Sequence, residues 1–224
     1  MDIMQAMRER HSVRSYIDKK IEDEKVVQLN NMIDECNKQS GLNIQLVTDH
    51  SDAFDNFLAH YGKMKGVSNY IAMVGDKGAD LHEKVGYFGE KIVLLAQQLG
   101  LNTCWVALTY SKRKSRVKIG DGQKLACVIS LGYGANQGVP HKNKPLNKVC
   151  KIDDNTPQWF KDGMHAVMLA PTAMNQQKFW FEQQNGVVTA TANIGFYSKM
   201  DLGIAKLHFE IGAGVENFVW KNKS

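Results

Sequence analysis

The sequence predicts an α+β fold made of two related halves. Three observations carry that expectation. Apolar stretches with helical period alternate along the chain with short strand-like runs, and those strands need not be parallel. A glycine-bearing helix followed by a strand ending in Trp occurs twice. The 224 residues, 43% of them hydrophobic, are enough to bury a core in one large or two small domains.

Taken in order, residues 2–9 read as a short helix leading into Arg10-His11-Ser12-Val13-Arg14-Ser15-Tyr16. Ile21 to Cys36 is amphipathic, with Val26, Val27, Leu29, Met32 and Ile33 on one side, and Gly41 ends it. Leu42 to Thr48 alternates as a strand, Ala53 to Tyr61 reads as a helix, and Tyr70 to Gly75 is a buried strand. The longest helix spans 82–99, with Gly100 where left-handed geometry closes it. Strands follow at Thr103–Leu108 and Leu125–Leu131, then a long loop from Gly132 to Pro140. Asp153 to Pro157 resembles a linker. The remainder reads as a helix at Trp159–Leu169, strands at Phe179–Phe181 and Val187–Thr191, a helix at Ser198–Gly212 and a last strand at Phe218–Trp220.

The repeat matches Gly89 and Trp105 in the first half to Gly203 and Trp220 in the second. A fainter echo sets Ser40-Gly41-Leu42-Asn43-Ile44-Gln45 against Thr172-Ala173-Met174-Asn175-Gln176-Gln177. Duplicated halves usually associate as two subunits of a dimer do.

Composition narrows the function. No run of about 18 apolar residues is present, so no membrane span is expected. Met1-Asp2-Ile3-Met4 has no basic or apolar leader pattern, which points to a cytoplasmic protein without a secretory signal. Cys36, Cys104, Cys127 and Cys150 are scattered and suit reduced, buried thiols; neither they nor the seven histidines have metal-ligand spacing. The net charge is +5, and its densest patch, Lys112 to Lys118, has no interleaved aromatic residues for base stacking. That patch reads as a solvated loop, and the surplus charge suits an anionic small ligand as well as it suits nucleic acid.

Two stretches carry chemistry. Arg10, Ser12 and Arg14 alternate, so in an extended segment their two guanidinium groups and hydroxyl face one way, as a phosphate dianion requires. Read without that ligand, they form an exposed basic turn. Lys142 and Lys144 repeat the alternation. The second stretch is Ala170-Pro171-Thr172-Ala173-Met174-Asn175-Gln176-Gln177, where Pro171 stops a helix, small residues admit close approach, and the Asn175 and Gln177 amides donate and accept. It reads equally as an ordinary turn from helix to strand.

Together these stretches resemble the nitroreductase family, the FMN-dependent NAD(P)H oxidoreductases. Arg10-His11-Ser12-Val13-Arg14-Ser15-Tyr16 is similar to its Arg-x-Ser-x-Arg opening, and Ala170 to Gln177 to its Ala-Pro-Ser-x-x-Asn-x-Gln. Gly89 to Trp105 resembles its central helix and strand. Leu131-Gly132-Tyr133-Gly134 through Lys142-Asn143-Lys144-Pro145-Leu146 resembles its closing segment. The order departs from the family, because the good Pro-Thr-x-x-Asn-x-Gln copy comes late and only the eroded Ser40–Gln45 stands near Arg10. The resemblance is therefore to a single-chain, two-repeat branch, a fused pseudo-dimer with a nitroreductase-like fold and a mainly antiparallel sheet and flanking helices in each half.

On that resemblance, residues 1–150 form the first half and 157–224 a shorter second half that completes one FMN site. It implies cofactor contacts from Arg10, His11, Ser12, Arg14, Lys63, Lys142, Lys144, Pro171, Thr172, Ala173 and Asn175. It further implies ping-pong hydride transfer from NAD(P)H through flavin N5 to a nitroaromatic, quinone or similar acceptor, with no side-chain nucleophile. Trp105, Tyr110 and Trp180 are candidates for an acceptor pocket as well as for core packing. The expected partner is a small-molecule acceptor, with no nucleic acid or membrane, and the chain acts as a monomer. A flavin carrier or sensor without efficient turnover is the rival, and a nucleic-acid module using Lys112–Lys118 a third.

Overall fold

The computed structural model describes residues 1–51, 64–107 and 116–221, so the helix expected at Ala53–Tyr61 lies outside the described residues. The chain divides into two compact units, Met1–Leu81 with Lys91–Pro140, and His82–Glu90 with His141–Ser224.

In the first unit, α1 (Ile3–Glu9) starts where the Asp2 carboxylate accepts the Gln5 N–H at 2.8 Å, an N-cap. Helix α2 (Asp23–Ser40) stops at Gly41, whose φ of 72° is left-handed. The helix outruns its apolar periodicity by a turn, and the reason is polar. Asn37 accepts the Ile44 N–H at 2.7 Å and donates to the Ile44 carbonyl at 3.0 Å, while Ser40 Oγ donates to the Cys36 carbonyl at 2.6 Å. Ile44 is thereby taken out of the expected strand, leaving β1 at Gln45–Val47.

Strands β2 (Asn69–Asp76), β3 (Asn102–Val106) and β4 (Gln123–Gly132) complete an antiparallel sheet in the order β1-β2-β4-β3. The register slips after Met73, which pairs with Cys127 while Val74 pairs with Leu125, a bulge at Ala126. Between Asn69 and Gly75 every β2 residue is buried, so the run is apolar on both faces and shows no alternation. Val13, Tyr16, Met64, Val67, Tyr70, Val74, Val106 and Val128 form one cluster of this unit's core. Helix α3 (Leu81–Gln98) is divided between the units, its His82–Glu90 part belonging to the second; Gly100 follows it with φ 74°.

In the second unit, α4 (Gln158–Val167) precedes a hairpin of β5 (Phe179–Gln184) and β6 (Val187–Ala192). Its Asn185-Gly186 turn has φ of 52° and 78°, the doubly left-handed geometry that Asn-Gly favours. Helix α5 (Ser198–Ala213) follows, and β7 (Val219–Trp220) adds in parallel to β6. Phe160, Phe181, Phe209, Phe218, Trp159 and Trp220 pack edge-to-face and stacked around Phe209, with Phe209–Phe218 centroids 5.1 Å apart.

The His82–Glu90 segment crosses α5 at two glycines. A Cβ on Gly86 would lie 2.0 Å from the Met200 carbonyl oxygen, and one on Gly203 would lie 2.0 Å from the Glu83 carbonyl oxygen. Each obstacle stands three residues before the other glycine, so the close approach is reciprocal. Gly203 thus meets Gly86, three residues before the Gly89 that the sequence comparison matched to it. Polar ties flank the crossing: Lys206 to Glu83 at 2.7 Å, Tyr87 Oη to Glu210 at 2.5 Å, and fully buried His208 to Glu90 at 3.0 Å. The other ring nitrogen of His208, Nδ1, is 3.1 Å from the Ala166 carbonyl. A carbonyl only accepts, so His208 Nδ1 is the donor in that contact.

Candidate functional site

Each unit gathers part of the expected residue set. In the first, Arg10 leaves α1 in extended geometry at φ −68° and ψ 116°. The chain then runs beside β3, with Ser12 bridged to Thr103 and the Val13 N–H donating to the Thr103 carbonyl at 3.0 Å. Side chains alternate as extended backbone demands. Val13 is fully buried, and its cluster neighbour Tyr16 donates to the Val13 carbonyl at 2.7 Å and contacts Ser130 Oγ at 2.8 Å. Burial pushes the Tyr16 phenol well above its usual range.

The opposite parity carries Arg10, Ser12 and Arg14, and the Cys104 thiol feels all three. Burial pushes that thiol up, and the Arg14 guanidinium, a Ser12 hydrogen bond and the Arg10 guanidinium pull it back. Arg10 is 3% exposed, whereas Arg14 is exposed and His11 and Ser12 are half-buried. The glycine loop after β4 lies directly on this segment. A Cβ on Gly138 (φ 71°) would sit 2.7 Å from His11 Cβ, and one on Gly134 2.9 Å from the Val13 side chain. Asn102 pins the loop, accepting the Gly134 N–H at 2.9 Å and donating to Gln137 Oε1 at 3.0 Å.

In the second unit, Lys142, Lys144, Thr172, Ala173 and Asn175 come together around Gln177, which is 3% exposed. The Gln177 N–H donates to Thr172 Oγ1 at 3.1 Å, and Nε2 donates to the Lys142 carbonyl at 3.0 Å and to Asn175 Oδ1 at 3.0 Å. Its Oε1 accepts the Lys144 N–H at 2.8 Å, and its carbonyl accepts Lys144 Nζ at 3.3 Å. Asn175 Nδ2 donates to the Lys142 carbonyl at 2.8 Å, so both ends of that amide help hold the turn. Pro171 is buried beneath it. Met174, Asn175 and Gln177 all have positive φ, at 54°, 53° and 43°. Such backbone in non-glycine residues persists where the surroundings impose it, and it concentrates at ligand sites.

Lys63, Tyr110 and the Lys112–Ser115 part of the basic run lie outside the described residues. Trp105 and Trp180 are half-buried. Among the described residues no cluster of His, Cys, Asp or Glu is arranged to hold a metal, and no helix is long and apolar enough to cross a membrane.

The family model described as "Putative TM nitroreductase" matches residues 2–213. The chain belongs to this nitroreductase family. A solved nitroreductase-family relative from Thermotoga maritima is 21% identical, with 100% of this chain and 90% of that one covered at a TM-score of 0.71. An NADH dehydrogenase/NAD(P)H nitroreductase structure from Bacteroides thetaiotaomicron is 23% identical over 69% of this chain and 98% of that one, TM-score 0.52. A Desulfovibrio desulfuricans nitroreductase solved in complex with FMN is 16% identical over 70% and 99%, TM-score 0.52. At these identities the likeness speaks to the fold, which is nitroreductase-like. None of the curated proteins matches the chain.

For this nitroreductase-family chain, motif reading found the two stretches and missed what holds them. Gln177 stands in the Ala170–Gln177 motif and Asn102 in the Gly89–Trp105 segment, but neither motif shows the bonds these residues make, and Asp201 was not singled out. Asp201, 3% exposed, accepts the Ala173 N–H at 2.9 Å and Gln176 Nε2 at 3.0 Å. Burial pushes its carboxyl up to about 6, against the pull of those two bonds. The available signal was an acidic residue in the first turn of the helix at Ser198–Ala213.

Proposed function

We propose that the chain binds one FMN and acts as an NAD(P)H oxidoreductase, delivering a hydride to a nitroaromatic, quinone or similar organic acceptor. The feature that supports this best is the extended segment beside Thr103, where Ser12 is bridged and Val13 is fully buried, so that Arg10, Ser12 and Arg14 share the side opposite Val13. Two planar guanidinium forks and a hydroxyl are a donor set matched to the oxygens of a phosphate monoester. Family membership and the FMN bound to the Desulfovibrio relative support the same reading.

FMN, when bound, supplies the hydride relay, so the chain has to bind, orient and shield. Arg10, His11, Ser12 and Arg14 are assigned to the phosphate, and the glycine loop keeps their backbone extended. Pro171, Thr172, Ala173 and Asn175 are assigned to the isoalloxazine, where the Thr172 hydroxyl accepts the Gln177 N–H and keeps its own proton to donate. Lys142, Lys144 and Lys63 are the cations assigned to stabilise negative charge on the cofactor. The proposal also takes the chain as a fused pseudo-dimer, monomeric in the cytoplasm. The reciprocal Gly86–Gly203 contact supports that, since a twofold relation makes each side meet the other's equivalent.

Reconstitution tests the proposal. Flavin-free protein titrated with FMN is expected to turn yellow and saturate at one FMN per chain, in particles of one chain by light scattering. A colourless product, or saturation at two FMN per chain, overturns it.

A further inference from the structure

Asp201 grips the turn assigned to the isoalloxazine. Its Oδ1 accepts the Ala173 N–H at 2.9 Å and its Oδ2 accepts Gln176 Nε2 at 3.0 Å. These two donors bracket Met174 and Asn175, whose φ values of 54° and 53° are unfavourable for residues other than glycine. Gln177 holds the other side through Thr172 Oγ1 and Asn175 Oδ1. The Ala173 N–H is therefore committed to Asp201, and its carbonyl accepts the Gln176 N–H at 3.1 Å. The turn offers its ligand side chains and a fixed outline rather than the Ala173 amide. Gln176 Nε2 also donates to the Phe196 carbonyl, so the same contact ties the loop before α5 to the turn.

A carboxylate 3% exposed is costly to bury, and two hydrogen bonds offset only part of that cost. A neutral amide of the same shape would avoid it, but it would fail here for a geometric reason. With Asn at 201, Oδ1 still accepts from Ala173, and Nδ2 then faces the Gln176 amide nitrogen, donor against donor. Gln176 must turn its oxygen toward Asn and give up Phe196, or keep Phe196 and lose position 201.

Resting on the FMN reading above, we infer that Asp201 is a positioning residue for flavin binding, holding the Thr172–Asn175 turn in the outline that the isoalloxazine edge requires. It acts through the ring end of the cofactor. Its removal therefore weakens riboflavin, which has no phosphate, as much as FMN.

The test titrates FMN and riboflavin into flavin-free wild type, Asp201→Asn and Gln176→Ala, following flavin fluorescence and the absorption spectrum of bound flavin. Loss of one charge-assisted bond gives about tenfold weaker binding of both flavins to Asp201→Asn, and Gln176→Ala loses about threefold. The bound-flavin bands shift in both variants while far-ultraviolet circular dichroism stays as in wild type. Should Asp201→Asn not fold, Gln176→Ala carries the same comparison from a half-buried position. Binding of both flavins within twofold of wild type in the folded variants overturns the inference alone, as does a loss confined to FMN. A wild type that takes up no FMN overturns the FMN reading and this inference with it.

Discussion

Replacing Gly203 with Ala, or Gly86 with Ala, tests the helix crossing at its tightest point. Either new Cβ would lie 2.0 Å from a carbonyl oxygen, against the 3.0 Å below which real Cβ contacts essentially do not occur. The helical segments must part by about 1 Å, and because the obstacle is backbone, no side chain can swing away. Overpacking costs roughly 1–3 kcal/mol, and a backbone obstacle belongs at the top of that range, about 3 kcal/mol. Alanine's better helix propensity returns about 1 kcal/mol, leaving a net loss of about 2 kcal/mol. For a chain of this size that lowers the melting temperature by about 4–8 °C. The crossing is reciprocal, so one separation accommodates both methyl groups, and the double variant should lose clearly less than the sum of the singles. Gly120→Ala is the control, since its Cβ would meet only the Gln123 side chain, at 3.3 Å, and is expected to change stability by less than about 0.5 kcal/mol. Calorimetry of the wild type and the four variants decides the matter. Either crossing variant melting at or above wild type refutes the reasoning.

Arg14→Ala should weaken FMN by about ten- to a hundredfold and leave riboflavin nearly unaffected, measured by fluorescence titration, because Arg14 is assigned to the phosphate. In flavin-free protein, Asp201 should set part of the pH dependence of stability. Its carboxyl is raised from 3.8 to about 6 on folding, so the folded state holds the proton more tightly. Its contribution is then greatest below pH about 4 and is lost as pH rises through about 6, on the order of 3 kcal/mol in all. Denaturant melts of wild type and Asp201→Asn at pH 5 and pH 7.5 should show the wild type losing more between the two. All four cysteines are free and buried, with burial pushing the Cys36 and Cys150 thiols up to about 11. A thiol reagent at pH 8 should therefore react slowly with native protein and fully in guanidinium, whereas rapid native labelling would contradict the burial.

The elements were readable where local signals agree. Periodicity and the glycine stops placed α2, α3, α4 and α5 within a few residues, and Asn185-Gly186 marks a hairpin by its own chemistry. Apolar alternation overextended the strand at Leu42, because the Asn37 side chain claims both backbone groups of Ile44, and no local pattern encodes that. The sequence comparison matched Gly203 to Gly89, whereas the close approach is to Gly86. Gly86 and Gly89 look alike in sequence, and only the approach of two backbones separates them. The alternation of Arg10, Ser12 and Arg14 about Val13 was legible because extended geometry fixes parity, and Val13 is fully buried where that parity puts it inward. Asp201 was not, since its partners Ala173 and Gln176 lie 28 and 25 residues away along the chain. Gln177 was singled out with its motif, but its contacts with Lys142 and Lys144, which span 35 and 33 residues, were not.

The most direct measurement of the central claim is anaerobic stopped-flow mixing of the FMN-loaded protein with NADH and, separately, NADPH, followed by addition of a quinone. The account predicts that at least one nucleotide bleaches the bound flavin at a rate of about 1 s⁻¹ or faster and that the quinone restores the yellow band. Bound flavin that neither nucleotide bleaches within minutes would contradict it and leave a flavin-binding protein without turnover.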